Sequence, residues 1–445
     1  MTTILMNNYA KIKMNAMDIA DEFIKAYPHI KLSNNSDTFY EYQDNMEAKG
    51  YYKQIDSLYI KGRILQFCKE NMVHNPTSGL MDNVYNLFKL SCMDNRVDFD
   101  GDSYKYLLNL NNCILDIRSG IIQKIEHSPD YYITRQFNVE YDPEAVAKFN
   151  IRTLKQILPN EEKYKYFLTI MMYLLIPTYE FQKIWMFYGS GGNGKDTALT
   201  TIQAILGDAN CASVSSYDIA ENRFFLGCLR NKFVNISSEQ RAGKLSQDNL
   251  KKLSGESTIT ADIKGKEPVT FMNFARILIL TNHIPQLGEI NEAIKRRYVL
   301  IHFDQTFSGG KEDTGLKGKL ITETEKSGFL NLLLEQLSHI FEQKDFRYSI
   351  RFDAPKCVQN ETHAAFNQMN NVDEFINDTF CLADCGQVKA SEAFESYIEY
   401  CQQTRVKPLS RNDFYNSIES SIGLEIKSGA GNSRYIQGIV RISDL

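Results

Sequence analysis

GSGGNGKDT, residues 189–197, departs by one residue from a phosphate-binding loop. The loop pattern is G-x-x-x-x-G-K followed by Ser or Thr. Here Asp196 takes the hydroxyl position and Thr197 follows it. KIWMFYG (183–189) ahead of the loop reads as a buried strand, and TALTTIQAIL (197–206) behind it reads as a helix. Phosphate binding requires that setting. Glycines let backbone N–H groups approach phosphate oxygens, a helix N-terminus adds a favourable dipole, and Lys195 supplies a point charge. Gly189, Ser190, Gly191, Gly192, Asn193, Gly194, Lys195, Asp196 and Thr197 are therefore the expected nucleotide-binding residues. The absent hydroxyl would ordinarily hold Mg2+. Asp196 could ligate the metal directly, at the cost of a negative charge beside the phosphates, or Thr197 could reach it; the residues leave both open.

Three more apolar strands follow: KFVNISSE (232–239), ARILILTN (275–282) and RRYVLIHF (296–303). Strands separated by helical stretches predict an α/β fold, a parallel sheet with helices on both faces. Ligands of such open sheets bind at the carboxyl ends of the strands. Glu239 ends one strand, where a carboxylate would polarise an attacking water or hold the metal. Asn282 ends another, as a neutral amide able to orient that water. Arg296 and Arg297 precede the last strand, where a guanidinium could reach a γ-phosphate bound in a neighbouring subunit. Between these strands, DIKGKE sets Gly265 at a turn between Lys264 and Lys266. Two ammonium groups at a hairpin tip suit contact with a nucleic-acid backbone. The bland alternatives are a surface glutamate and an ordinary solvated hairpin.

The 445-residue chain as a whole has the composition of a soluble globular protein, with 43% hydrophobic and 24% charged residues, and its length predicts two to four domains. A formal charge of -5 restricts any nucleic-acid contact to local patches. The nine cysteines are scattered without C-x2-C spacing, and Cys381 and Cys385 lack a matching pair, which argues against zinc and for buried thiols in a reducing compartment. The N-terminus lacks a signal layout. FLTIMMYLLIPTYEF (167–181) is too short to span a membrane and is broken by Pro177, so it reads as a buried helix. The expectation is a cytoplasmic protein with no membrane partner.

Residues 1–100 read as mostly helical, and residues 106–142 as short strands between turns. DFDGD (98–102) fails as a calcium loop, since Ser103 and Asn109 stand where Gly and Glu are needed, and reads as a solvated acidic turn. As the metal site of a primase, it has too little room and no supporting motif. Helical spacing resumes at DPEAVAKF, with Asp142 and Pro143 as cap and first turn. Residues 308–318 read as a Gly/Lys-rich linker, followed by helical segments to about 385. The last 60 residues read as two helices, the second capped by Ser410 and stopped by Gly423, and then a hairpin turning at GAGN.

The stretch from about 145 to 305 resembles the superfamily 3 helicase domain, an AAA+ ATPase type of phages, mobile genetic islands and large DNA viruses. GSGGNGKDT resembles its Walker A, KFVNISSEQ its Walker B, ILILTNHIP its motif C, and EAIKRRYVLIHF its arginine-finger segment. LKKLSGESTITADIKGKEPVTF (250–271) resembles the hairpin that such proteins aim into a central channel. Residues 109–145 resemble the region preceding the helicase in poxvirus-type and phage primase-helicases, and the last 60 residues resemble their winged helix.

The resemblance implies an N-terminal α+β domain (1–142), an AAA+ P-loop domain (143–307), a linker and helical segment (308–385) and a DNA-binding winged helix (386–445). It implies ATP and Mg2+ as cofactors, with metal contacts from Asp196, Thr197 and Glu239. It also implies single-stranded DNA at Lys264 and Lys266, and a ring-shaped homo-oligomer, expected to be a hexamer, with each nucleotide between two subunits. The expected role is replication of a phage or mobile element, in a bacterial cytoplasm, in the manner of self-loading initiators of staphylococcal pathogenicity islands. Priming would fall to a separate primase. Two residues depart from the family pattern: Asp196 in Walker A, and Ser238 where an acidic residue often precedes the glutamate. They bear on metal coordination and rate more than on nucleotide binding. The rival reading is a nucleotide-binding origin-recognition or scaffold protein with weak or no ATPase. A small-molecule kinase would explain neither hairpin nor tail.

Overall fold

The computed structural model of the chain describes residues 14–34, 37–45, 49–73, 76–178, 180–239, 244–245, 253–254, 258–263, 266–282, 286–287, 292–307, 315–344, 347–350, 352–369, 371–404, 408–419, 424–429 and 433–444. The chain divides between Asp142 and Pro143 into two compact units.

In the first unit, α1 (Ala16–Ala26) starts in a capping box between Asn15 and Asp18 and buries Ile19, Ala20 and Phe23. Next come β1 (Ile30–Leu32), β2 (Phe39–Asp44) and β3 (Lys49–Ile55), an antiparallel sheet in that order. Helices α2 (Ser57–Glu70) and α3 (Ser78–Ser91) close a core containing Phe23, Leu32, Phe39, Ile64 and Phe88. The sheet corrects the mostly helical expectation for residues 1–100. FYEYQD alternates buried and half-buried positions, and Tyr42 meets Tyr52 across the ladder at 5.2 Å. Charged residues within both strands obscure that two-residue period. Three short antiparallel strands, β4 (Leu107–Asn109), β5 (Ile114–Asp116) and β6 (Gln123–Ile125), follow within the stretch read as strands.

The second unit opens with α4 (Lys148–Ile157) and α5 (Glu161–Leu174). α5 is buried almost all round, as expected for the apolar run ahead of Pro177. Then come β7 (Ile184–Tyr188), α6 (Lys195–Leu206), β8 (Cys211–Ala212), β9 (Val234–Glu239), β10 (Lys244–Leu245), β11 (Thr258–Ile263), β12 (Lys266–Met272), β13 (Arg276–Thr281), β14 (Gln286–Leu287) and β15 (Tyr298–His302). Five of these strands form a parallel sheet in the order β15-β7-β13-β9-β8. The fold is thus mixed α/β with a central parallel sheet. Its strands are continuous apolar runs, IWMFY and RILILT, because both faces are covered. β11 and β12 pair as an antiparallel hairpin, whose Ile259, Ala261 and Phe271 join the core formed by Ile184, Ile277 and Leu300.

α4 begins at Lys148 rather than at the Asp142–Pro143 turn, and Ala147 at its cap position makes no side-chain cap. The helix Leu316–Leu320 begins within the stretch 308–318 read as a linker, and Glu323–Leu334 follows it. A hairpin, β16 (Phe341–Lys344) with β17 (Arg347–Ile350), interrupts the region read as helical to 385. At the C-terminus, β18 (Phe380–Lys389), β19 (Ile426–Ser428) and β20 (Arg434–Arg441) form an antiparallel sheet in the order β18-β20-β19. The helices Ala390–Thr404 and Arg411–Ser417 pack on it. Val372, Phe375, Ile376 and Phe380 lie in the same core, so this module begins upstream of residue 386. Gly423 lies outside the described residues.

Candidate nucleotide site

β7 delivers the chain to Gly189 at the carboxyl end of the parallel sheet, and α6 departs from Gly194. Gly194 is left-handed, with φ 83°, and a Cβ there would stand 2.8 Å from Ile157. Lys195 is the first residue of α6, and it is buried. Its Nζ donates to the Gly189 carbonyl at 2.7 Å, to Asn193 Oδ1 at 3.0 Å and to Asn282 Oδ1 at 3.1 Å. Asn193, also buried, donates through Nδ2 to the Phe303 carbonyl at 3.2 Å, which ties the loop to the end of β15. Burial pulls the pKa of the Lys195 ammonium below its ordinary value, and the neighbouring Asp196 carboxylate acts in the opposite sense.

These groups line a cleft of ≈ 370 Å³ bounded by Gly191, Gly192, Asn193, Gly194, Lys195, Asp196, Thr197, Ser238, Leu280, Thr281, Asn282 and Lys317. The cleft combines loop amides, a helix N-terminus and a buried cation, the elements that bind phosphate. Asp196 is exposed and Thr197 half-exposed on its wall, so a hydroxyl and a carboxylate are both present for a hard cation.

The structure brings the loop residues, Lys195 and Asn282 together. Glu239 ends β9 with its backbone opposite Thr281, one residue before Asn282; its side chain lies outside the described residues. Lys264 and Gly265 also lie outside them, as does the side chain of Lys266; β11 and β12 flank that tip as a hairpin. Arg296 and Arg297 are not in the cleft. They precede Tyr298, which pairs with Ile184 at the start of β7, so the length of a strand, about 16 Å, separates them from Gly189. Arg297 donates to the Ala293 carbonyl at 2.9 Å; burial first, and Arg296 second, push its pKa down. Sequence reasoning missed Lys317. It sits within the stretch read as a linker, and no local pattern marks it as facing the loop.

The acidic turn of the first unit is closed. Asp100 pairs with Arg135 at 3.1 Å and accepts from the Thr134 amide at 2.9 Å. Among the described residues, no group of three His, Cys, Asp or Glu side chains could hold a metal, and no helix is long and apolar enough to cross a membrane.

Comparison with known proteins adds family information. Residues 187–297 match a family of unknown function, DUF5906, and residues 63–160 match the family described as D5 N terminal like. A provisionally named helicase, L207/L206, of Acanthamoeba polyphaga mimivirus is 25% identical over 318 residues, covering 64% of this chain and 31% of that protein. Primase D5 of Fowlpox virus is 24% identical over 267 residues, covering 56% of this chain and 32% of that protein. The chain thus spans about a third of the length of the curated relatives it matches. Among solved structures, the apo structure of the NrS-1 C terminal region superposes with a TM-score of 0.52 at 11% identity, covering 96% of this chain and 100% of that one, a likeness of fold. Residues 63–160 are thus similar to the D5 N terminal like family, and a little over half of the chain or more is similar to viral proteins named as helicase or primase.

Proposed function

We propose that the chain is an ATP-dependent DNA helicase of the superfamily 3 AAA+ type, working as a ring in the replication of a phage, virus or mobile element. The observation that carries this reading is the convergence of a glycine loop, a buried Lys195 and Asn282 on one cleft at the carboxyl edge of a parallel sheet. In it, the loop amides and Lys195 hold the phosphates of ATP. Asp196 or Thr197, with Glu239, holds Mg2+, and bound Mg2+ supplies charge neutralisation at the phosphates. Glu239 polarises the water and Asn282 orients it. Arg296 and Arg297, a strand's length from their own cleft, serve the cleft of a neighbouring subunit, which is why a ring, expected to be hexameric, is part of the proposal. Lys264 and Lys266 at the β11–β12 tip contact single-stranded DNA in the channel, and the C-terminal β-sheet module acts as a winged helix on duplex. A self-loading initiator of the pathogenicity-island kind, with a separate primase, fits the same parts list.

The test is ATP hydrolysis with and without single-stranded DNA, measured alongside particle size and alongside the Glu239→Gln variant. The expected outcome is DNA-stimulated turnover by an oligomer, with Glu239→Gln binding ATP but not cleaving it. Tight ATP binding with no turnover by the wild-type chain would instead support the origin-recognition or scaffold reading, which the exposed Asp196 carboxylate beside the phosphate loop favours.

A further inference from the structure

We propose that Lys317 is a second phosphate-binding cation of this cleft, supplied in cis from outside the P-loop core. The inference rests on the nucleotide reading above and deepens it. Lys317 lines the same cleft as Gly191–Thr197 and Asn282, although more than a hundred residues of chain separate it from the loop. Its side chain is exposed, and among the described residues its ammonium makes no ion pair or hydrogen bond.

The short helix that carries Lys317 is fixed to the helix that carries the phosphate site. Leu320, one turn on and 1% exposed, offers its carbonyl to Asn150 Nδ2 at 3.0 Å and to Thr201 Oγ1 at 3.2 Å. Thr201 belongs to α6, and its single hydroxyl proton is shared between that carbonyl and Asn150 Oδ1, the nearer at 2.5 Å. Asn150 is held in turn by Glu325 Oε2, at 2.9 Å from its side chain and 3.0 Å from its amide. All four residues are buried. A fully satisfied buried network of this kind is rigid. The backbone that carries Lys317 is therefore held against α6, beside the cleft, rather than on a free linker.

The charge balance of the cleft gives this cation a purpose. The loop replaces a neutral hydroxyl with Asp196, so Lys195 and Asp196 alone present no net charge to an incoming anion. Lys317 restores a net positive wall without a second lysine in the loop. The cleft can then accept a polyphosphate despite the aspartate.

The experiment measures affinity of the full-length chain for a fluorescent ATP analogue, without hydrolysis, for wild type and for Lys195→Ala, Lys317→Ala, Lys317→Arg and Lys319→Ala. Thermal melting of each variant reports folding. We expect Lys317→Ala to weaken binding about tenfold, the loss of one charge-assisted contact at an accessible site. Lys317→Arg should stay within about threefold of wild type, and Lys319→Ala, outside the cleft lining, should bind as wild type. A well-folded Lys317→Ala that binds as tightly as wild type overturns the inference and leaves the nucleotide site standing, provided Lys195→Ala abolishes binding. Equal losses for Lys317→Ala and Lys319→Ala also overturn it, since they would report a general field. Wild type that binds no nucleotide, or Lys195→Ala that binds normally, overturns the nucleotide reading and this inference with it.

Discussion

Two buried side chains of opposite charge stand at helix N-termini in the second unit, and their surroundings differ. Glu325 is 5% exposed and faces the start of α4, where its carboxylate accepts from the amides of Phe149 and Asn150 and from the Asn150 side chain. An anion at the positive end of a helix, with its donors in place, is a favourable cap. Lys195 is 6% exposed and opens α6, a cation at the positive end of a helix. It is tethered by carbonyl and amide oxygens, yet burial still depresses its pKa. The first arrangement is complete in itself. The second becomes favourable when an anion arrives. Burial of a charge does not mark a binding site; a charge set against its local field beside an open cleft does.

The largest expected effect is on Lys195. Lys195→Ala should weaken ATP binding by at least about 100-fold and leave the melting temperature unchanged or raised, because a buried cation opposed to the helix dipole is removed. Calorimetry with and without ATP checks both halves. A large loss of stability in the nucleotide-free protein would mean that Lys195 is a structural group like Glu325.

Glu325→Ala should do the reverse. Leaving the α4 amides and Asn150 without their acceptor should cost about 3 kcal/mol in denaturant unfolding. Its effect on ATP affinity should stay within the tenfold attributed to Lys317. If ATP affinity collapses while unfolding is unchanged, the contrast between the two helix ends is broken.

A third effect tests the shape of the loop. Gly189 has φ 150°, and a Cβ there would stand 2.3 Å from the Phe303 carbonyl oxygen and 2.4 Å from Asn193 Nδ2; a Cβ on Gly191 meets nothing within 4 Å. Gly189→Ala should therefore cost about 2 kcal/mol of stability and loosen ATP binding by roughly tenfold. Gly191→Ala should leave stability within about 0.5 kcal/mol. Equal behaviour of the two variants in paired melting and binding curves would show that the loop relaxes around its glycines.

The smallest effect is on pH. In the window between the depressed folded pKa of Lys195 and the ordinary lysine value, the unfolded chain binds more protons than the folded one. The contribution of Lys195 to stability therefore rises with pH in that window. ATP affinity moves the other way, falling as Lys195 loses its charge. Titrating affinity from neutral to alkaline pH, with Lys195→Met as the flat reference, should show that decline beginning below the ordinary lysine range.

The local sequence determined those parts of the molecule whose signals span a few residues. IWMFY, the glycines of 189–194 and the apolar face of α6 specified strand, loop and helix in order, since each element needs only its own period and its own φ angles. The placement of Asn282 at a strand end followed from the parallel pattern, and the structure puts its Oδ1 on Lys195. Tertiary structure decided the rest. Local sequence suggests a start for α4 at Asp142 and Pro143, but its cap is a carboxylate 176 residues away from Phe149, and no local motif encodes that contact. In the antiparallel sheet of residues 30–55, charged positions hide a two-residue period, so the local pattern suggests helix and packing decides for strands. Lys317 lay in an apparent linker, and only the hydrogen bonds that draw the Leu320 carbonyl onto α6 bring it to the cleft. Periodicity and turn chemistry are local and can be read from the chain, whereas a cap or a cation supplied across the fold exists only once the core has closed and set the distance.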